Sequence, residues 1–160
     1  MNTILSHAFV KNGAYSPLAL RLAAGLIFTA YGAQKLFGWF GGYGLEGTGQ
    51  FMSSLGLEPG YLMALLAGSA EFFGGLLLLL GLFTRPTAIA LSITMLVAIV
   101  TVHLPNGLFM ANNGYAFALA LMAISLSLVV SGAGRFSLDN LLATRLIVVR
   151  RPETLNAQAA

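Results

Sequence analysis

Few side chains in this sequence can hold a charge or move a proton, and their placement is uneven. Glu71 is the only acid in "AGSAEFFGGLLLLLGLFTRP", which runs from Ala67 to Pro86. Upstream, Arg21, Gly25, Phe28, Gly32, Lys35 and Trp39 follow one another at steps of three or four, which lines them along one face of a helix. A carboxylate facing an ammonium or guanidinium away from water can form an ion pair or relay a proton. Gln34 sits beside Lys35, and His103 is followed by Asn106, Asn112 and Asn113. Fixed amide and imidazole groups of this kind suit the carbonyl oxygens of a bound ligand.

Other chemistries lack their residues. There are no cysteines, so disulfides, thiol redox chemistry, iron–sulfur ligation and c-type haem attachment are excluded on this chain. The two histidines, His7 and His103, are too isolated to argue for a zinc or bis-histidine haem site, so no metal is expected. The glycine-rich "GWFGGYG" reads as a turn rather than a phosphate loop. Ser125, Ser127 and Ser131 are expected to bond to helix carbonyls rather than act as nucleophiles.

The elements that carry these residues belong in a bilayer. The 160 residues are 58% hydrophobic and 8% charged, against about 25% charged in soluble domains. Mean hydropathy is +0.85. From Pro86 to Gly134 there is no Asp, Glu, Lys or Arg. Apolar stretches of this kind predict membrane-spanning helices. The expected fold is an all-α integral membrane four-helix bundle, a single domain over 1–160. Its spans are placed at about 18–37, 61–83, 87–103 and 115–133, with a cytoplasmic tail over 134–160.

Lys11, Arg21, Arg85, Arg135, Arg145, Arg150 and Arg151 gather at one set of ends, while the loops 38–60 and 104–114 carry no Lys or Arg. That bias predicts both termini and the Arg85 turn on the cytoplasmic side. It also accounts for the +3 net charge without nucleic acid. The first span is expected to stay as an anchor rather than leave as a signal peptide. Two further amphipathic helices are expected, one in "GQFMSSLGLEPG" and one carrying Leu138, Leu141 and Leu142 beside Arg145; each could equally be simple end-capping.

Glu71 has ten residues of its predicted span before it and twelve after it, so it lies near the midplane. A central acid costs about 2.5–3.5 kcal/mol on insertion. Nine leucines in the same span outweigh that cost. Ala64, Ala67, Gly68, Gly74 and Gly75 share the face of Glu71, while Leu62, Leu65, Leu66, Phe73, Leu76 and Leu80 lie opposite. Small residues permit close helix contact, so the acid is predicted to face the bundle. For an antiparallel neighbour, Lys35 falls about 7–8 Å from Glu71 along the axis and Arg21 about 13–14 Å. Lys35 is the preferred partner, with Arg21 the alternative if the helices are offset. Such a pair can be functional, or it can merely fix helix register.

"ALRLAAGLIFTAYGAQKLFGWFGG", "AGSAEFFGGLLLLLGLFTRPTA", "HLPNGLFMANNGYAFALALM" and "GAGRFSLDN" together resemble the DoxX family of small four-helix inner-membrane proteins, over about Leu18 to Asn140. The resemblance implies a prokaryotic cytoplasmic membrane and an oxidoreductase component. Some members are subunits of thiosulfate:quinone oxidoreductase or are linked to quinone and oxidative stress, and others have no assigned activity. The family positions that transfer are Arg21, Lys35, Glu71, Arg85 and His103. Members often carry Glu where this chain has Ala116, so a proton step through that acid is absent here or uses another group.

Any redox work on such a chain needs an exchangeable cofactor or an oxidoreductase partner, soluble or membrane-bound. A quinone is the expected cofactor, held by Gln34, Lys35, Trp39, His103 and Asn106, with Glu71, Lys35 and Arg21 as the proton or ion-pair groups. The alternative for the five ligand-side residues is anchoring of loops at headgroup level. Two other functions remain open: a carrier or exporter of a small amphiphile, and a structural membrane anchor for a partner enzyme.

Overall fold

The computed structural model describes residues 16–149. All regular structure among them is helical: α1 (Ser16–Phe37), α2 (Gly44–Ser54), α3 (Gly60–Leu80), α4 (Thr84–Ala98), α5 (Ala116–Ser131) and α6 (Leu138–Val149). A π-helical turn, Ile99–His103, and a 3-10 turn, Leu104–Asn106, carry α4 onward as a rod of 23 residues. His7, Lys11, Arg150 and Arg151 lie outside the described residues, as does the side chain of Arg145.

Among the described residues two helices, α3 and the Thr84–Asn106 rod, are long and apolar enough to cross a membrane. α1 has 22 residues but carries Arg21 and Lys35. α5 is wholly apolar or hydroxylic with 16 residues, about 24 Å of rise against roughly 30 Å of hydrocarbon.

α1 packs along α3 and α4 along α5, with α3 also touching α4 and α2 lying on α3. Phe28, Leu78, Leu91, Leu121 and Leu128 form the buried seam where these pairs meet. α3 divides as its sequence predicts. Ala64, Gly68, Glu71, Gly74 and Gly75 are buried, whereas Leu62, Leu66, Phe73 and Leu80 are exposed.

Several boundaries differ from the sequence reading, and three have a local reason. α3 stops at Leu80 rather than running to Phe83, because Gly81 turns left-handed at φ 66° and Leu82 N–H bonds back to Leu77 O. α4 starts three residues early, at Thr84, since Pro86 falls in a first turn that has no use for its missing N–H. The amphipathic helix of the first long loop starts at Gly44 rather than Gly49, and ends at Ser54 before Gly56 at φ 78°. The expected last helix is present as α6, beginning at Leu138, with Leu138, Leu141 and Leu142 exposed.

Candidate functional site

The contact between α1 and α3 is set by glycine. A Cβ on Gly32 would lie 2.3 Å from Phe72 N, and one on Gly75 would lie 2.5 Å from Thr29 N. The two backbones therefore touch, which no larger residue at these positions would permit. That contact fixes what comes next to it: Lys35 is three residues beyond Gly32, and Glu71 immediately precedes Phe72. Lys35 Nζ donates to Glu71 Oε2, closing an ion pair across the interface.

The pair is lopsided. Glu71 is almost fully enclosed, its side chain 3% exposed, while that of Lys35 is 24% exposed. The Lys35 side chain thus stays partly exposed beside an enclosed acid. Tyr31, one turn earlier on α1, places its ring centroid 5.8 Å from Lys35 Nζ and stacks at 5.7 Å on Phe117 of α5. Two residues past Lys35, Phe37 meets Phe72 edge-on at 5.2 Å and Trp39 at 5.1 Å. An ammonium held by a carboxylate with an aromatic ring beside it can hold a planar, carbonyl-bearing molecule by one strong hydrogen bond and ring contact.

Arg21 does not compete for Glu71. Although buried, it points toward the other end of α3, where Nη1 reaches Leu78 O at 3.4 Å and Nη2 donates to Phe136 O. Its position closes off Gly81, where a Cβ would run into the guanidinium and into Ser137.

The expected ligand residues form two groups. Gln34 Nε2 donates to Phe40 O at 3.2 Å, holding the chain reversal after α1. Trp39 does not continue the Arg21–Lys35 face: Gly38, at φ 71°, ends the helix before it, and Trp39 turns outward, 56% exposed. His103 Nδ1 and Asn106 Nδ2 converge on one acceptor, the carbonyl of Asn113, at 2.8 and 3.3 Å. Among the described residues, no hydrogen bond or ion pair joins His103 or Asn106 to Lys35 or Glu71. Bonded to a carbonyl, His103 Nδ1 is the donor, so the neutral ring offers only a lone pair at Nε2. Ala116 opens α5, its N–H bonded to Leu108 O at 3.0 Å.

One functional side chain escaped the sequence reading. Asp139 Oδ1 and Oδ2 accept from Phe83 N–H and Thr84 N–H at 2.8 and 2.9 Å, and Asp139 N–H returns a bond to Gly81 O. The first turn of α6 thereby caps α4. An acid after Ser137 at a helix start is visible in sequence, but a target 55 residues away is not.

The sequence profile of the DoxX family matches residues 16–104, which takes in Arg21, Lys35, Glu71, Arg85 and His103. The chain belongs to the DoxX family. The match ends before Asn106, α5 and Asp139. This DoxX-family chain is 38% identical over 114 residues to "Putative oxidoreductase CatD" of Bacillus subtilis (strain 168), covering 71% of this chain and 78% of that one. It is 34% identical over 153 residues to "Inner membrane protein YphA" of Escherichia coli (strain K12), covering 87% of this chain and 99% of the relative. A third relative, "Uncharacterized membrane protein Rv3486" of Mycobacterium tuberculosis, is 34% identical over 144 residues, with 83% and 85% covered. No solved structure matches the chain. With its apolar helices and these relatives, the DoxX-family chain is a prokaryotic membrane protein.

Proposed function

We propose that this DoxX-family protein crosses the inner membrane four times, by α1, α3, the α4 rod and α5, with both chain ends cytoplasmic, and serves as an oxidoreductase component that binds a quinone beside Lys35. The loops without Lys or Arg support that orientation. A slight tilt or local thinning lets α5 span despite its length.

The observation that carries the ligand reading is the unequal burial of the ion pair. A pair kept only for register has no need of a partly exposed lysine set beside an aromatic ring. Here Glu71 holds Lys35 Nζ in place, and the N–H groups of Nζ not turned to Glu71 are the donors for one quinone carbonyl. A proton that Lys35 gives up is replaced from solvent, and the Glu71 carboxylate, accepting from the same nitrogen, favours return of the ammonium. A bound quinone supplies the two-electron chemistry, and its electrons come from a partner oxidoreductase. Tyr31, Phe37 and Phe72 border the ring without reacting.

Quantifying quinones extracted from protein purified in mild detergent tests the reading. Near-stoichiometric quinone with the parent chain and a loss with Lys35→Leu are expected. No quinone in the parent, or equal amounts in both, would overturn it.

A further inference from the structure

At the opposite end of the molecule from α2, an open groove of about 330 Å³ lies between the start of α4 and the α5–α6 connection. Arg85, Ser131, Ala133, Gly134, Ser137 and Asp139 are among its walls. None of these residues belongs to the Lys35 site.

The groove is rich in uncommitted donors. Arg85 is exposed, and among the described residues its guanidinium makes one long hydrogen bond, 3.5 Å from Nη2 to Val130 O. The N–H groups of Ala133 and Gly134 make no hydrogen bond within the described residues. The acid in the wall does not oppose an incoming anion strongly. Both oxygens of Asp139 are already bonded to Phe83 and Thr84 N–H, and the buried Arg21 acts on the same carboxylate from behind. Arg135, also exposed, adds a second free-standing cation one residue past the wall. The local balance of Arg21, Arg85 and Arg135 against Asp139 is positive.

Apolar side chains frame these donors. Phe83 is 62% exposed and Phe136 58%, with Leu138 and Leu141 following on α6. A fork of guanidinium donors bordered by outward aromatic and leucine side chains, on a membrane protein, matches one occupant: a phosphate carrying two acyl chains.

We propose that the groove between Arg85 and the Ser131–Asp139 segment binds the headgroup phosphate of an anionic phospholipid, whose acyl chains lie along Phe83, Phe136 and the exposed leucines of α6. Arg85 supplies the paired N–H donors. The left-handed Gly132 (φ 73°) brings the chain around so that the Ala133 and Gly134 backbone lines the same space. The site is separate from the Lys35–Glu71 pair, so either assignment can fail without the other.

Native mass spectrometry of the full chain, titrated with phosphatidylglycerol or phosphatidylcholine in detergent, tests the proposal. The parent is expected to keep phosphatidylglycerol in preference to phosphatidylcholine. Arg85→Gln is expected to weaken phosphatidylglycerol binding about tenfold, in keeping with loss of a charge-assisted hydrogen bond. Arg85→Lys is expected to recover only part of it, since an ammonium cannot fork onto two oxygens. Arg85 is exposed, so these variants should melt like the parent, which a thermal scan checks. Equal retention of the two lipids, or an Arg85→Gln variant that binds like the parent, would overturn the proposal. So would displacement of the lipid by millimolar inorganic phosphate, which would reassign the groove to a soluble anion.

Discussion

Lys35 reaches from α1 to Glu71 on α3, and the two ends of that ion pair differ in burial, 24% against 3% exposed. The asymmetry predicts unequal mutant effects. Lys35→Leu leaves a fully enclosed carboxylate without its cation, and should cost about 3–5 kcal/mol. Glu71→Leu leaves an ammonium that can swing to its open side, so that variant should fold about as well as the parent while losing the ligand. The double variant Lys35→Leu/Glu71→Leu should recover most of the loss. Thermal melts of the four proteins in one detergent check this order; a Glu71→Leu variant that misfolds would assign the pair to helix register instead.

Gly32 is the hinge of the site's geometry, because its missing side chain lets Phe72 N approach. Gly32→Ala should push α1 from α3, destabilise by about 1–3 kcal/mol, and separate Lys35 from Glu71. Gly25→Ala meets Gly75 O and the flexible Leu79 side chain at 2.9 Å, so it should be milder. Melting temperatures rank the two, and quinone content reports whether the ion pair survived.

The capping contact gives an independent test. Asp139→Ala removes both acceptors of the α4 N-terminus and should cost about 1–2 kcal/mol. Asp139→Asn keeps one acceptor oxygen but loses the charge, and should fall between. Hydrogen exchange is expected to quicken at Phe83, Thr84 and the first turn of α6, while the amides around Glu71 stay protected.

The inward direction of Glu71 was legible because α3 separates small from bulky residues at helical spacing, and burial follows that separation directly. Lys35 as its partner followed from helix-face spacing, rise per residue between antiparallel neighbours, and the reach of a flexible lysine across the remaining gap. The rest depended on contacts distant in sequence or on single dihedrals. Gly38 turns Trp39 off the α1 face, which a count of threes and fours does not register. His103 and Asn106 are drawn to the Asn113 carbonyl because Asn113 sits left-handed at φ 60° beyond a π-helical turn, and neither feature has a local sequence mark. Asp139 was visible as an acid at a helix start, but its hold on α4 arises only when the chain ends of α3 and α5 come together.

The central claim, that a quinone sits against the open side of Lys35, is tested most directly by fluorescence. Trp39 is the single tryptophan of the chain, and Phe37 links it to Phe72 through ring contacts of 5.1 and 5.2 Å. A short-chain quinone added to the purified parent should quench Trp39 saturably, and Lys35→Leu/Glu71→Leu, once its melt matches the parent's, should show only the weak linear quenching of free collision. Identical saturable curves from the two proteins would contradict the account.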